Sequence, residues 1–197
     1  MKKYIYVIAL LTATTSTSFA QGLFSISYDI GLPVGNTSDF IGNASFRGFG
    51  IEGRGFITDN LSYGGSFSWA VFYEEFPAQE WNIEGETRTA YGRQFRYINS
   101  FPLMATMHYY FGAWDATRIY AGGGIGAQKI DQRLDFGMYQ INRNKWRFGF
   151  APEAGVLIPV NFNTNINLGV KYQYAVKAGD GHDAVSYLSF KIGLAFM

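Results

Sequence analysis

The 197-residue chain contains no cysteine. That excludes disulfide bonds, and it excludes lipidation at an N-terminal cysteine of an exported protein. Charge is scarce as well: 16% of residues are Asp, Glu, Lys or Arg, against about 25% in ordinary soluble domains. The charges present nearly cancel, 16 basic against 15 acidic, so neither nucleic acid nor an acidic partner is implied. Only two histidines occur, which narrows the catalytic chemistry available. No segment approaches the roughly 18 consecutive apolar residues of a membrane-crossing helix. What the chain has instead is aromatic residues, at 18%, and 24 glycines. A soluble domain needs a charged exterior. A lipid-facing barrel needs an aromatic and aliphatic exterior over small interior residues.

The first 20 residues stand apart. Lys2 and Lys3 form a basic start, Ile5 to Leu11 are almost wholly apolar, and Ser18-Phe19-Ala20 offers small residues where a signal peptidase cleaves. The apolar run is too short to span a bilayer, so it reads as a secretory signal with the mature chain beginning at Gln21.

The last ten residues carry the organising pattern. Leu188, Phe190, Ile192, Leu194 and Phe196 are large and apolar, and Ser189, Lys191, Gly193 and Ala195 between them are small or polar. Period 2 predicts a β-strand with one apolar face. The same alternation recurs at about 24–32, 46–57, 61–73, 95–111, 119–128, 146–158 and 166–174. Eight strands result, and the connections alternate in length. Short turns fall near 57–60, 112–117 and 159–164; longer loops are expected at 33–45, 74–94, 129–144 and 176–184. Pro102 and Pro152 fall inside predicted strands, where a missing donor argues for a bulge or a strand end. An even-stranded outer-membrane barrel has short periplasmic turns, longer outer loops and both termini in the periplasm. The competing architecture is a soluble lipocalin-type barrel with its faces exchanged, whose solvated face here would be mostly Gly, Ser and Ala.

The signal segment, the eight alternating strands, the glycine-rich Tyr120-Ala121-Gly122-Gly123-Gly124-Ile125-Gly126 stretch and Pro152-Glu153-Ala154-Gly155-Val156 together resemble the small outer-membrane β-barrel domain family. Its relatives include the OmpA transmembrane domain, OmpX and OmpW. The resemblance implies an all-β, eight-stranded antiparallel transmembrane barrel in the bacterial outer membrane. Its motifs specify the fold rather than a job.

Inward parity collects an ionisable set: Asp29, Glu52, Arg54, Arg147, Glu153, Lys171 and Lys191, with His108 also facing in. Pairing the sixth and seventh strands about a turn near 161–162 sets Glu153 nearly opposite Lys171. Closure brings Lys191 and Glu52 close. Such a set reads either as a gate or as a satisfied polar core, since charges inside a barrel filled by its own side chains must be paired. His182, with Asp180, Asp183 and Ser186 nearby, permits a hydrolytic set at the outer rim, or is a plain Gly/Asp loop. His108 has no second His or Cys beside it to make a metal site. The acidic residues of 74–86 suit divalent cations, a partner protein or simple solvation. Arg88, Arg93, Arg133, Arg143 and Lys145 can meet lipopolysaccharide phosphates. Tyr109, Tyr110, Phe111 and Trp114 at one end, and Trp69, Tyr73, Trp146 and Tyr174 towards the other, are expected to form interfacial girdles.

The function expected is a structural or interaction role in the cell envelope, as a subunit of a larger assembly or alone. The alternatives are an OmpW-like narrow channel for small or apolar molecules, and a lipid-modifying enzyme. The partners expected are outer-membrane lipid and lipopolysaccharide, the outer-membrane insertion machinery, and an envelope protein met through 74–94 and 129–144. No cofactor, metal or nucleic acid is implied.

Overall fold

The computed structural model describes residues 22–82, 89–113, 116–137, 139–179 and 183–197. The expected signal peptide, residues 1–20, lies outside them, as do Glu84, Glu86, Arg88, Trp114, Asp180 and His182. The strands are β1 (Gly22–Pro33), β2 (Gly48–Thr58), β3 (Leu61–Asn82), β4 (Thr89–Phe111), β5 (Arg118–Phe136), β6 (Tyr139–Asn161), β7 (Thr164–Ala175) and β8 (Val185–Phe196). A five-residue helix, α1 (Asn36–Phe40), lies between β1 and β2. The strands pair antiparallel in chain order and β8 closes onto β1, from Phe24↔Phe196 to Pro33↔Tyr187. Closure follows from the solvent. Hydrocarbon offers no partner to an unpaired N–H or C=O, so a sheet in a membrane must have no edge. No described helix is long and apolar enough to cross a membrane; the strands do the crossing.

The alternation becomes an inside and an outside. Phe24, Ile26, Tyr28, Ile192 and Leu194 are 45–54% exposed on the lipid face, while Ser25, Ser27, Asp29, Lys191 and Ala195 between them are buried. The interior is filled in layers. At the short-turn end, Leu23, Tyr110, Tyr120, Leu157 and Ala195 form one apolar cluster. At the other end, Ile41 from the chain just after α1 drops into the barrel and packs with Phe72, Ile98, Ile130 and Tyr187. The charged side chains lie between. Interior glycines make room for the large rings: a Cβ at Gly155 would stand 2.5 Å from the Tyr120 ring, and one at Gly169 would stand 2.9 Å from its hydroxyl.

The expected loops at 74–94 and 129–144 are corrected. β3 and β4 have 22 and 23 residues and β6 has 23, about twice the ~9–11 that a tilted membrane strand needs. Pairing continues through Glu74↔Arg96 and Glu75↔Phe95 on one hairpin and Arg133↔Asn142 on the other. Above the lipid neither strand face needs to be apolar, so the alternation fades while backbone pairing persists. Around Pro77 the β3–β4 register slips by one between Phe76 and Gln79, a bulge where the proline has no donor to give.

Pro102 and Pro152 are neither bulges nor strand ends. Pro102 pairs with Gln128, and Pro152 with Gly123, on β5. On the opposite side each ladder is interrupted, between Phe67↔Leu103 and Ala70↔Ser100 and between Phe150↔Tyr174 and Glu153↔Lys171, with no change of register. Each proline therefore weakens one of its two seams and leaves the strand straight.

Candidate functional site

The charged layer and its aromatic partners are built from seven strands. β2 aims Glu52 and Arg54 inward, two residues apart, and β6, β7 and β8 contribute Glu153, Lys171 and Lys191. Arg54 Nη2 lies 2.8 Å from Glu52 Oε2 and 3.2 Å from Glu153 Oε1. Lys171 Nζ lies 2.9 Å from Glu153 Oε2, across the register pair Glu153↔Lys171. Lys191 donates to Glu153 Oε1 and lies 3.4 Å from Glu52 Oε2. β4 adds Tyr110, whose hydroxyl accepts from Arg54 Nη1 at 2.6 Å. β5 adds Tyr120, whose ring lies 4.6 Å under the Arg54 guanidinium. The Tyr120 hydroxyl is 2.9 Å from both Glu153 Oε1 and Asn167 Oδ1, and its single proton serves one of them at a time. Asp29, bonded by Ser27 Oγ at 2.7 Å, is the register partner of Lys191 on the same inner face. Three cations thus stand among three carboxylates. Burying an ion costs several kcal/mol, and this mutual neutralisation is what makes the layer tolerable.

His108 completes the cluster. Its Nδ1 is 3.9 Å from Glu52 Oε1 and its Nε2 is 3.6 Å from Glu153 Oε2, both beyond hydrogen-bond reach. Ligand atoms of Glu52, His108 and Glu153 come within 4.8 Å of one another. Arg54, Lys171 and Lys191 already occupy the same carboxylates, so a divalent cation would enter against three positive charges. The geometry describes a salt-bridged plug.

Arg147 is corrected. It faces inward and is buried, but it lies six residues along β6 from Glu153, about 20 Å at strand rise. There its guanidinium donates to the Asp183 carbonyl. Tyr110 is also corrected: it lies inside at 0% exposure, because parity with Tyr109 and Phe111 turns it away from the lipid girdle. The sequence reading missed Tyr110 and Tyr120 as network members, although period 2 marked both as inward. The acidic segment is partly engaged: Glu74 accepts from the Gly42 N–H at 2.7 Å, and Glu75 pairs with Arg93 at 3.3 Å on the surface. Ser186 is buried and its hydroxyl donates to the Val34 carbonyl at 2.8 Å.

At the hairpin end lies a cavity of about 670 Å³, walled by α1, β3–β6 and the chain before β8. Phe40, Trp81, Phe136 and Ile141 are among its apolar walls, and Arg96 enters from β4. Arg96 donates from Nε to Gln94 at 2.8 Å and from Nη1 to the Phe40 carbonyl at 2.9 Å. Its guanidinium lies 4.4 Å from the centre of the Phe76 ring and 5.5 Å from that of Trp81. Burial pulls its pKa below the usual arginine value, with Glu74 acting the other way; an arginine stays charged at neutral pH.

Closed, eight-stranded, apolar outside and ion-paired within, the chain meets the description of one family, whose model of the outer membrane protein beta-barrel domain matches residues 6–197. The chain belongs to that family. It is therefore a protein of the bacterial outer membrane, in contact with outer-membrane lipid. No curated protein matches it. Among solved structures it is similar to Ail, the attachment invasion locus protein of Yersinia pestis, at 14% identity over 89% of this chain and 96% of that one, with a TM-score of 0.53. Neisserial surface protein A is similar at 14% identity, with the same coverage and a TM-score of 0.54. OprG of Pseudomonas aeruginosa is similar at 15% identity over 89% and 95%, with a TM-score of 0.51. At these identities the likeness is one of fold.

Proposed function

We propose that this family member is a closed, non-catalytic barrel with a structural and interaction role in the cell envelope. Its recognition elements are the two hairpins, β3–β4 and β5–β6, that stand beyond the lipid belt. The observation that carries the reading is the filled interior: an apolar layer at each end and an ion-paired layer between them leave no continuous lumen. The long paired hairpins support the second half, since rigid strands present side chains at lower entropic cost than loops. Arg133, Arg143 and Lys145 near the outer rim suit lipopolysaccharide phosphates. The occupied Ser186 hydroxyl weighs against a hydrolytic set at the rim.

Reconstitution in planar bilayers tests the closed interior. No stable conductance steps are expected, and reproducible ohmic openings overturn it. Photo-cross-linking in intact outer membranes from positions 91 and 139, where Tyr91 and Tyr139 are 75% and 76% exposed, tests the recognition role. A discrete cross-linked partner is expected; capture of lipid alone would leave the barrel structural. Export by cleavage after Ala20 and assembly by the outer-membrane insertion machinery belong to the same reading. N-terminal sequencing of the purified barrel, expected to begin at Gln21, checks the first.

The narrow-passage alternative has one observation on its side, the cavity at the mouth. Phe40 lines that cavity and packs against the Ile41–Phe72–Ile98–Ile130–Tyr187 layer, which favours a blind cup over a passage.

A further inference from the structure

The cup at the hairpin end goes unused by a protein that merely displays its hairpins. Its volume of about 670 Å³ falls within the ~300–1,000 Å³ of small-molecule sites. Its walls are mostly apolar and aromatic, and among the described residues the charged side chains lining it are Arg96, Arg133, Arg143 and Asp183. Arg133 is paired, its Nε lying 3.1 Å from Asp135 Oδ2. Arg96 differs. The acceptors given above for it are an amide and a backbone carbonyl, joined by the more distant Asp39 carbonyl at 3.4 Å. Among the described residues no carboxylate stands within 4 Å of its guanidinium. Three aromatic rings, Phe40, Phe76 and Trp81, hold the group within 4.4–5.5 Å, and rings fix a cation without neutralising it. The result is a pinned positive charge in an apolar cup that opens to the outside.

We propose that this cup binds a small amphipathic anion, with Arg96 meeting a carboxylate, sulfonate or phosphate headgroup and Trp81, Phe136 and Ile141 holding the apolar body. A neutral apolar molecule would cover the Arg96 charge while Glu74, its register partner, stays beyond ion-pair distance. A cation would meet the Arg96 guanidinium. Specificity therefore lies in the sign of the headgroup. The site goes beyond the interaction role proposed above, because it needs no protein partner and no open lumen.

The test uses the purified mature barrel in phosphatidylcholine nanodiscs, titrated calorimetrically against empty discs. The probes share one ring system: 2-naphthalenesulfonate, neutral naphthalenemethanol and cationic naphthylmethylammonium. Saturable binding of one sulfonate per barrel is expected, about ten-fold or more tighter than the neutral and cationic probes, as one charge-assisted hydrogen bond implies. Arg96→Gln should remove that preference. Because Arg96 also holds the carbonyl end of α1, Ile141→Trp, which fills the cup from a half-exposed wall position, provides a second variant and should abolish binding without disturbing the barrel. Equal binding of all three probes, no binding beyond empty discs, or unchanged sulfonate binding in a folded Ile141→Trp barrel overturns the proposal. Nanodiscs containing lipopolysaccharide identify the source. Loss of sulfonate binding assigns the headgroup to a lipid phosphate, and retained binding assigns it to a free solute; the anion site stands either way. Conductance measurements report on the closed interior separately, so the two readings fail independently.

Discussion

Removing the Glu153 carboxylate is the sharpest perturbation the interior offers. Glu153 is fully enclosed and contacts Lys171 at 2.9 Å, Arg54 at 3.2 Å, Tyr120 at 2.9 Å, and Lys191. In Glu153→Ala, the cations Arg54, Lys171 and Lys191 face only Glu52 and Asp29, so the layer passes from neutral to a net positive charge. Summing four charge-assisted bonds at ~1.5–3 kcal/mol each overshoots, because water enters the vacated space and the lysine stems bend towards it. Breaking a buried pair by deleting one partner costs about 3–5 kcal/mol, and that is the loss expected. Urea unfolding of the barrel in lipid, followed by the fluorescence of its four tryptophans, reads it. The cycle with Lys171→Met isolates the pair: a coupling of ~0.5–3 kcal/mol is expected between residues in one network, the double variant losing less than the sum of the singles. A Glu153→Ala midpoint equal to that of the parent, or strictly additive losses, would refute the claim that the layer is held by this carboxylate.

Three further outcomes are expected. Tyr120→Phe deletes the hydroxyl shared by Glu153 and Asn167 and should lower stability by ~1.5–3 kcal/mol in the same unfolding assay; no change would mean that water replaces the hydroxyl. Gly155→Ala places a methyl 2.5 Å from both the Tyr120 ring and the Leu168 carbonyl oxygen and should cost ~1–3 kcal/mol through overpacking in the same assay; an unchanged midpoint would show that the barrel wall yields freely there. Amides of Glu75 and Phe76, which composition alone assigns to a loop, should exchange as slowly as membrane-strand amides because the ladder runs on through Glu75↔Phe95 and Phe76↔Gln94. Exchange at the rate of an unstructured peptide would return this hairpin to a loop.

Much of the interior was legible because parity is a local property. Glu52, Glu153, Lys171 and Lys191 each sit between outward uncharged neighbours, Arg54 follows Glu52 by two residues, and the Glu153–Lys171 pairing follows from counting back from one short turn. Parity gave direction without depth, which is why Arg147 was grouped with side chains about 20 Å away. The hairpins above the membrane were illegible for a different reason. The pattern that marks a strand is the imprint of lipid on one face, and stretches such as 74–82 and 131–136 lie beyond it. Their pairing depends on the partner strand, which no single segment encodes. α1 and Ile41 gave no periodic signal, and their role as the cap over the interior exists only once the mouth has closed around them.

The sequence by itself determined an eight-stranded barrel and its destination. Alternation with period 2, few charges and abundant aromatics are a direct response to hydrocarbon outside and packed polar groups within, and each strand carries that response independently. Only the tertiary structure decided how the interior is filled and that the mouth is hollow. That filling depends on the shear that brings β2, β4, β6, β7 and β8 to one depth, where Glu52, His108, Glu153, Lys171 and Lys191 meet. The hollow depends on hairpins rising past the lipid while Ile41 fills the space below. Depth and register are relations between strands, and they exist only after the ring has closed.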